Sequence, residues 1–438
     1  MQTSLADFIR ATPEGQEADR ILRSCVHCGF CNATCPTYQL LGDELDGPRG
    51  RIYLIKQMLE GAEVSQRTLT HLDRCLTCRN CETTCPSGVR YGALLDIGRE
   101  QAERRIDRSR WQRVQRWLIR RILPYRERFT PLLRLGQFFR PLLPRALKQK
   151  IPLYRAASAP VSMKGGGDCK DAVGNATPGA VAENRDKGRG FSEGRTQTHA
   201  RKMLLLEGCV QPALAPTINA AATRILDRLG IALIPAAGAG CCGAACHHTS
   251  GAEEGLAQAR RNIDAWWPHI ETGSEAIVMT ASGCGVHVKD YGHLLRDDSV
   301  YADKARRVAA LTKDISEILG QEDLSKLNLK INPNLKIVFQ SPCSLQHGQR
   351  LSGVVEKILH ELGFSLMPSA QAHLCCGSAG TYSLLQPALA RSLRKRKLDA
   401  LEADKPRLII TANIGCLAHL QSGTMLPVRH WIELLIDD

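Results

Sequence analysis

Two copies of one cysteine motif constrain this chain more than any other feature. The motif is C-x2-C-x2-C-x3-C-P, and its copies occupy residues 25–36 and 75–86, fifty positions apart. Three thiolates at this spacing can wrap one face of a cubane 4Fe–4S cluster, since each iron needs one soft ligand. In two-cluster ferredoxins with this motif, the fourth cysteine ligates the other cluster. The predicted ligands are Cys25, Cys28, Cys31 and Cys85 for a first 4Fe–4S cluster, and Cys75, Cys78, Cys81 and Cys35 for a second.

Zinc is the alternative metal for such cysteines. Zinc ribbons use two separated pairs of ligands, whereas this motif is a doubled three-plus-one set with a proline after each last cysteine, which favours iron–sulfur clusters. Two neighbouring one-electron centres predict electron relay. His27 and Arg79 lie between ligands and are expected to be solvated loop positions.

The remaining cysteines and the N-terminus indicate the compartment. The chain has 18 cysteines in 438 residues, clustered rather than scattered as a disulfide framework would be. The start MQTSLADFIR has no basic segment before an apolar core, so we expect no secretory signal and a reducing cytoplasm. No run reaches the ~18 apolar residues of a spanning helix.

Positive charge is concentrated in one segment. Residues 104–150 contain fifteen Arg or Lys against two acids, nearly the whole net charge of +14. Apolar residues recur at helical spacing from Trp111 to Ile122, and again after Pro131. This predicts amphipathic helices with basic faces, which could lie on an anionic membrane, dock on a partner or pack on their own chain. They match no groove-reading motif, so we expect no nucleic-acid partner.

The second half contains an internal repeat. Cys209, Cys241-Cys242-Gly243 and Cys284 recur as Cys343, Cys375-Cys376-Gly377 and Cys416, with offsets of 134, 134 and 132 residues. Short apolar runs end at these cysteines and precede helical stretches, which predicts parallel strands with the cysteines at their carboxyl ends. The predicted domains are a two-cluster ferredoxin-type domain at 1–103, a basic helical connector at 104–155, a flexible linker at 156–200, and two Cys-Cys-Gly (CCG) repeats at 201–330 and 331–438.

Each repeat is a candidate for a further metal site. Each has a histidine three residues after its last cysteine, and the alternatives are an additional cluster, a structural or redox role, and simple burial of the thiols. The candidate ligands are Cys209, Cys241, Cys242, Cys284 and His287 in the first repeat, and Cys343, Cys375, Cys376, Cys416 and His419 in the second. Cys246, His247 and His248 have no counterparts in the second repeat and are treated as incidental, as is Cys169 in the linker.

The expected fold is multidomain, α+β and α/β: a helical two-cluster ferredoxin-like domain followed by two repeated α/β CCG domains. The glycines of this chain are interpreted as turn or linker positions rather than as a nucleotide-binding GxGxxG motif, and there is no P-loop, so we expect a partner to supply the electrons. No catalytic residue is predicted in this chain.

Long blocks of this sequence resemble the iron–sulfur subunits of bacterial glycolate oxidases. These blocks include CVHCGFCNATCPTYQLLGDELDGPRGRIYLIKQ, HLDRCLTCRNCETTCPSGV, GCCGA and HLCCGSAGTY. The resemblance implies that flavin-containing partner subunits, which hold the FAD, oxidise glycolate to glyoxylate. It also implies that this chain, as a subunit of that oxidoreductase, relays electrons to an acceptor such as a quinone, in the cytoplasm or peripherally at the inner membrane.

Other families share this plan. They are the iron–sulfur subunits of other 2-hydroxy-acid and glycerol-3-phosphate dehydrogenases, and the heterodisulfide reductases, which act on thiols and disulfides. The heterodisulfide reductases close each CCG repeat with C-x2-C, whereas this chain has Cys284-Gly-Val-His287 and Cys416-Leu-Ala-His419. An imidazole therefore replaces one thiolate in each repeat.

Overall fold

The structure of the chain is a computed structural model that describes residues 1–142 and 199–436. Within residues 1–142 all regular structure is helical. The α-helices are Asp7–Arg10, Pro13–Ser24, Phe30–Ala33, Pro36–Leu41, Pro48–Leu59, Gln66–Asp73, Asn80–Thr84, Tyr91–Arg105, Arg110–Ile122 and Arg126–Phe138. Short 3-10 helices occupy Glu44–Asp46 and Arg140–Leu142.

Local sequence sets where the longer helices of this domain begin. The side chain of Thr12 accepts a hydrogen bond from the N–H of Gly15, and Pro13 follows at the first helical position. Ser65 caps the helix Gln66–Asp73 in the same way, through the N–H of Thr68. The fixed φ of proline suits the first turn, where its missing N–H removes no helical bond.

A buried ion pair lies at the centre of the ferredoxin domain. Arg51 is fully buried, with Nη2 at 3.4 Å from the carboxylate of Asp46. The same carboxylate lies 3.0 Å from His71 Nδ1 and 2.8 Å from Arg74 Nη1. Breaking such a pair would leave an uncompensated charge in the core. It therefore fixes the helix Pro48–Leu59 beside the second cysteine motif.

Two four-stranded parallel sheets make up the second half of the described chain. The strands are β1 (Arg201–Leu205), β2 (Ile231–Pro235), β3 (Ile277–Met279), β4 (Thr312–Asp314), β5 (Ile337–Gln340), β6 (Leu366–Met367), β7 (Leu408–Thr411) and β8 (Val428–His430). Their order is β2-β1-β3-β4 in the first sheet and β6-β5-β7-β8 in the second, so the two sheets share one topology. Every residue of β3, β5 and β7 is buried, as expected for parallel strands covered on both faces.

Helices connect these strands and cover both sheets. In the first repeat the helices are Gln211–Leu214, Thr217–Arg228, Ala244–His247, Ala252–Glu271, Ser282–Lys289, Tyr291–Leu294, Ala302–Leu311, Ile315–Leu319 and the 3-10 helix Leu324–Leu327. In the second repeat they are Ser344–Gly348 (a π-helix), Val354–Glu361, Tyr382–Leu385, Pro387–Glu402, Ile414–Gln421 and the 3-10 helix Trp431–Leu435. The predicted fold class, a helical ferredoxin-like domain followed by two α/β repeats, is confirmed.

The two repeats pack against each other through one apolar core. Residues of both sheets belong to it, including Val278 of β3 and Ile410 of β7. The N–H of Ser282 donates to the carbonyl of Ala412 at 3.2 Å. This hydrogen bond joins the segments that follow β3 and β7, which are equivalent strands of the two repeats. The carboxyl edges of the two sheets are therefore held next to each other.

The basic connector forms the helices Arg110–Ile122 and Arg126–Phe138. The second helix begins before Pro131 rather than after it, and the proline lies inside it. Residues 143–155 of the predicted connector, nearly all of the predicted linker at 156–200, and Cys169 lie outside the described residues. No helix within residues 1–142 or 199–436 has the length and apolarity needed to cross a bilayer.

Candidate metal centres

The two cysteine motifs of the ferredoxin domain adopt matching backbone conformations. In the first, His27 and Gly29 have φ values of 60° and 88°; in the second, Thr77 and Arg79 have φ values of 53° and 58°. Each motif thus turns through two left-handed residues between its cysteines, and the short helices Phe30–Ala33 and Asn80–Thr84 follow. Residues other than glycine rarely adopt this left-handed backbone conformation. Because both motifs adopt it at the same positions, we attribute it to the geometry of the site rather than to local conformational propensity.

The fourth cysteine of the second motif lies with the first three of the first motif. Cys25 and Cys31 both interact with Cys85, and all three line one cavity with Cys28. Burial, followed by the neighbouring thiol of Cys25, raises the pKa of Cys31 to about 11. We call Cys25, Cys28, Cys31 and Cys85 the first ferredoxin centre.

The complementary set gathers around Cys81. Cys81 interacts with Cys78, Cys75 and Cys35, and the pKa of its thiol is raised well above its usual value by burial and then by these neighbours. We call Cys75, Cys78, Cys81 and Cys35 the second ferredoxin centre. Both centres have the crossed composition that two-cluster ferredoxins use, and four converging soft donors fit one 4Fe–4S cluster each. The thiols must lose their protons to bind metal.

Arginines surround the second ferredoxin centre. The buried guanidinium of Arg51 interacts with the thiols of Cys75 and Cys35. Arg99 donates from Nη2 to the carbonyl of Cys75 at 2.8 Å and to that of Leu72 at 2.9 Å. At the first ferredoxin centre the N-terminal ammonium group of Met1 donates to the carbonyl of Cys25 at 2.8 Å, and Arg49 is paired with Glu44 at 2.6 Å.

Arg79 is not a solvated loop residue, contrary to the prediction. Its guanidinium forms an ion pair with Asp290 of the first CCG repeat, and its side chain is only 21% exposed. The ion pair joins residues 211 positions apart, so local sequence could not reveal it. His27 is half-buried, and its Nε2 has no hydrogen-bond partner.

The four cysteines of the second CCG repeat come together at the carboxyl edge of its sheet. Cys343 follows β5 and Cys416 follows β7, as the sequence predicted, and the Cys-Cys pair follows β6. The Sγ atoms of Cys343 and Cys375 are 3.6 Å apart, and those of Cys376 and Cys416 are 3.3 Å apart. We call Cys343, Cys375, Cys376 and Cys416 the second CCG thiols.

The first repeat has the same arrangement. Cys209 contacts Cys241, Cys241 contacts Cys242, and Cys242 contacts Cys284. These four residues are the first CCG thiols. The glycine after each Cys-Cys pair is required, because Gly243 and Gly377 have φ values of 100° and 89° and an added Cβ would lie within 2.8 Å of a backbone carbonyl oxygen.

Lys397 lies against the second CCG thiols, and sequence analysis did not identify it. It is 3% exposed, and its Nζ donates to the carbonyls of Gln371 and Ala372 at 3.0 and 3.1 Å. Burial lowers its pKa, while all four second CCG thiols act to raise it. A buried ammonium group needs a compensating negative charge. Thiolates bound to a metal cluster would supply that charge.

The predicted histidine ligands of the two repeats, His287 and His419, have other partners than the CCG thiols. His419 Nε2 lies 3.2 Å from the carbonyl oxygen of Ala390, to which it donates, so that nitrogen is occupied. His287 packs against His247 and His248, with ring centroids 5.5 and 6.0 Å away. His247 and His248, which sequence analysis treated as incidental, therefore lie beside His287, a predicted site residue. The adjacent histidines themselves were the available signal.

The second ferredoxin centre abuts the second CCG thiols. The thiol of Cys343 is the neighbour that, after burial, contributes most to raising the pKa of Cys78. Leu76, Cys78, Cys343 and Cys375 share one apolar cluster. Hydrogen bonds flank the contact: Asn80 Nδ2 donates to the carbonyl of His373 at 3.2 Å, and Thr83 Oγ1 lies 2.8 Å from His347 Nδ1.

Comparison with known proteins agrees with this geometry. A family model for the 4Fe-4S dicluster domain matches residues 21–89, and one for the cysteine-rich domain matches residues 203–289 and 337–421. The glycolate oxidase iron–sulfur subunit of Escherichia coli K12 is 52% identical over 435 residues, covering 99% of this chain and 98% of that protein.

Two more distant relatives share the same plan. The probable glycolate oxidase iron–sulfur subunit of Bacillus subtilis is 27% identical over 92% of this chain and 89% of that protein. Lactate utilization protein A of Bacillus licheniformis is 26% identical over 53% of this chain and 98% of that protein.

The fold and the thiol groups define an iron–sulfur oxidoreductase subunit with a dicluster ferredoxin domain and two cysteine-rich domains. The expectation of iron–sulfur cofactors is confirmed at this level. The chain belongs to the family of glycolate oxidase iron–sulfur subunits.

Proposed function

We propose that this chain is the electron-transfer subunit of a glycolate oxidase, carrying electrons from flavin-containing partner subunits to an acceptor such as a quinone. The observation that carries the proposal is the row of three thiol groups leading from the surface into the protein. The first ferredoxin centre includes the exposed Cys28, the second is more deeply buried, and the second CCG thiols lie directly beside it. When bound, a 4Fe–4S cluster takes up and releases one electron at a time.

The ligands of the two ferredoxin clusters are proposed to be the eight cysteines in their crossed sets. The second CCG thiols are proposed to hold a third cluster, supported by the buried Lys397 beside them. The first CCG thiols offer the same donors in the same order and fit a fourth. The protein holds these thiols close together and excludes water from most of them, which restricts one-electron chemistry to the bound groups.

The partner subunits are proposed to dock over the first ferredoxin centre. Val26 and Phe30 flank Cys28 there and are 68% and 62% exposed. Large apolar side chains beside a redox centre suit a partner surface that must approach closely. An electron donor elsewhere on the chain would have to reach cysteines that are more deeply buried.

Turnover of the assembled complex tests this function. With glycolate as donor, the complex containing the wild-type chain should reduce a short-chain quinone, and the complex without this chain should not. The flavin subunits alone should keep their flavin and reduce it with glycolate, which controls for their folding. Full quinone reduction without the chain would contradict the relay function.

The connector is proposed to contact an anionic membrane surface, where a quinone acceptor would dissolve. Its arginines partly face inward: Arg116 Nη2 lies 3.0 Å from Asp73, and Arg120 Nη1 donates to the carbonyl of Thr249 at 2.6 Å. Trp111, Phe138 and Leu142 are instead 71%, 77% and 81% exposed. Exposed tryptophan and phenylalanine beside further exposed arginines are typical of helices that lie in a membrane interface.

Vesicle sedimentation tests this contact. The complex should bind vesicles that contain phosphatidylglycerol and bind less to pure phosphatidylcholine. Trp111→Ala together with Trp117→Ala, which removes a second tryptophan of the same helix that is 49% exposed, should weaken binding to both vesicles. Val300→Ala is the matched control, because Val300 is 66% exposed on another surface. Unchanged vesicle binding with lost assembly of the flavin subunits would assign the surface to those subunits instead.

A further inference from the structure

Three histidines of the first CCG repeat meet at one point. His247 ends the short helix Ala244–His247, His248 caps it, and His287 lies on the helix Ser282–Lys289. One ring nitrogen of each lies within 4.8 Å of the ring nitrogens of the other two. The ring centroids are 5.4 to 6.0 Å apart. Three imidazoles at this separation can share one ligand.

These imidazoles are buried with unused hydrogen-bonding capacity. His287 is 6% exposed, and the Nδ1 atoms of His247 and His248 are buried without hydrogen-bond partners. Buried polar atoms are usually satisfied, because leaving one unpaired costs roughly 1–3 kcal/mol. Two such atoms in adjacent residues therefore point to a ligand.

Burial disfavours the protonated form of two of the three rings. Burial, followed by the neighbouring imidazoles, holds the pKa of His248 and of His287 well below the usual value. Within the described residues, no carboxylate forms an ion pair with any of the three. The charged groups that face them are the guanidinium groups of Arg79 and Arg99. Neutral imidazole is the form that donates a lone pair to a metal.

We infer that His247, His248 and His287 bind a divalent transition-metal ion of the Zn²⁺ class, at a site separate from the thiol groups. Three imidazole nitrogens are a recurrent ligand set for Zn²⁺, with the fourth position left for water or another ligand. Borderline nitrogen donors suit Zn²⁺ and other late first-row ions better than Ca²⁺ or Mg²⁺, which prefer oxygen. The nearby arginines favour an anion, such as hydroxide, as the fourth ligand.

The position of the site suggests what the ion would hold together. It would connect the loop after Cys241 and Cys242 to the helix that carries Cys284. That helix ends beside Asp290, the ion-pair partner of Arg79, which lies between Cys78 and Cys81 in the second cysteine motif. A Cβ on residue 243 would lie 3.2 Å from His287 Nε2, so Gly243 also keeps this space open. The ion would thereby brace two segments of the first CCG repeat, one of which leads to the ion-pair partner of Arg79.

Zinc binding to the cluster-loaded full chain tests the inference. After removal of loosely bound metal with a chelator and addition of Zn²⁺, the wild-type chain should retain one zinc ion. Zinc-edge X-ray absorption should show nitrogen or oxygen ligands at about 2.0–2.1 Å and no sulfur at about 2.3 Å. Iron clusters do not contribute at this edge.

Two variants and one control make the result specific. His247→Gln and His248→Gln should each lose the retained zinc while keeping wild-type iron content, which reports that the chain has folded. His360→Gln should retain the zinc, because His360 is exposed on the helix Val354–Glu361. No retained zinc in the wild-type chain, sulfur in its ligand shell, or equal retention by the histidine variants would overturn the inference.

Discussion

The two ferredoxin centres come from near-copies of one motif, yet their surroundings differ. Their loops share the same left-handed positions, but the first includes the exposed Cys28 between Val26 and Phe30, whereas the second lies against the second CCG repeat. The first is bordered by the ammonium group of Met1 and the Arg49–Glu44 pair, whereas the second is bordered by the buried Arg51–Asp46 pair and by Arg99. The motif determines which thiols converge, and the surroundings determine what each centre can contact.

The largest expected effect comes from removing a thiol of the second ferredoxin centre. Cys78→Ser should lose about four irons per chain and reduce quinone reduction by the complex to background, since a second-centre cluster would lack a ligand. Cys246→Ser is the control, because Cys246 is buried and belongs to neither centre. Iron analysis and turnover on the same preparations check this. Normal turnover by Cys78→Ser would show that electrons do not pass through the second ferredoxin centre.

The next effect tests whether the second CCG thiols, beside the second ferredoxin centre, hold a cluster. Lys397→Met should lower the iron retained by the second CCG thiols, because their bound cluster would lose its buried counter-charge. Lys395→Met on the same helix should not, because Lys395 is exposed and paired with Asp399. If these thiols hold no cluster, Lys397→Met should instead raise the thermal midpoint, since it removes an uncompensated buried charge. Iron content and thermal unfolding together separate the outcomes.

A smaller effect separates the potentials of the two centres. Arg99→Gln should lower the reduction potential of one cluster by on the order of 50 mV, because a nearby positive charge stabilises the added electron. Arg49→Gln should shift neither cluster as far, since the Arg49 side chain is 35% exposed and solvent screens its charge. Potentiometric titration followed by electron paramagnetic resonance measures both. Equal shifts would mean that local charge does not distinguish the centres.

The smallest expected effect concerns the left-handed residue that differs between the loops. Asp290→Asn should lower the thermal midpoint by about 2–4 °C through loss of its ion pair with Arg79. Arg79→Gly should lower it less, because glycine, which the first motif has at Gly29, relieves the left-handed strain while the ion pair is lost. A larger loss in Arg79→Gly than in Asp290→Asn would show that the arginine does more than pair with Asp290.

Sequence spacing predicted the features that depend on short segments. The crossing of Cys85 and Cys35 follows from the doubled motif, and the strand-end positions of Cys343 and Cys416 follow from apolar runs that stop at cysteines. The Arg79–Asp290 pair, Lys397 beside four thiols, and the meeting of His247 with His287 depend on how separate domains and helices pack. No periodicity records such contacts, and the adjacent histidines, although visible in the sequence, were set aside because the second repeat has no counterpart to them.

Iron and acid-labile sulfide per chain, measured on anaerobically purified wild-type protein and on Cys376→Ser, test the central claim most directly. The proposed row of centres predicts about twelve to sixteen irons in the wild-type chain and a loss of about four in the variant. About eight irons in both proteins would contradict it, because only the two ferredoxin centres would then hold clusters. The second ferredoxin centre would in that case lie beside CCG thiols that bind no metal.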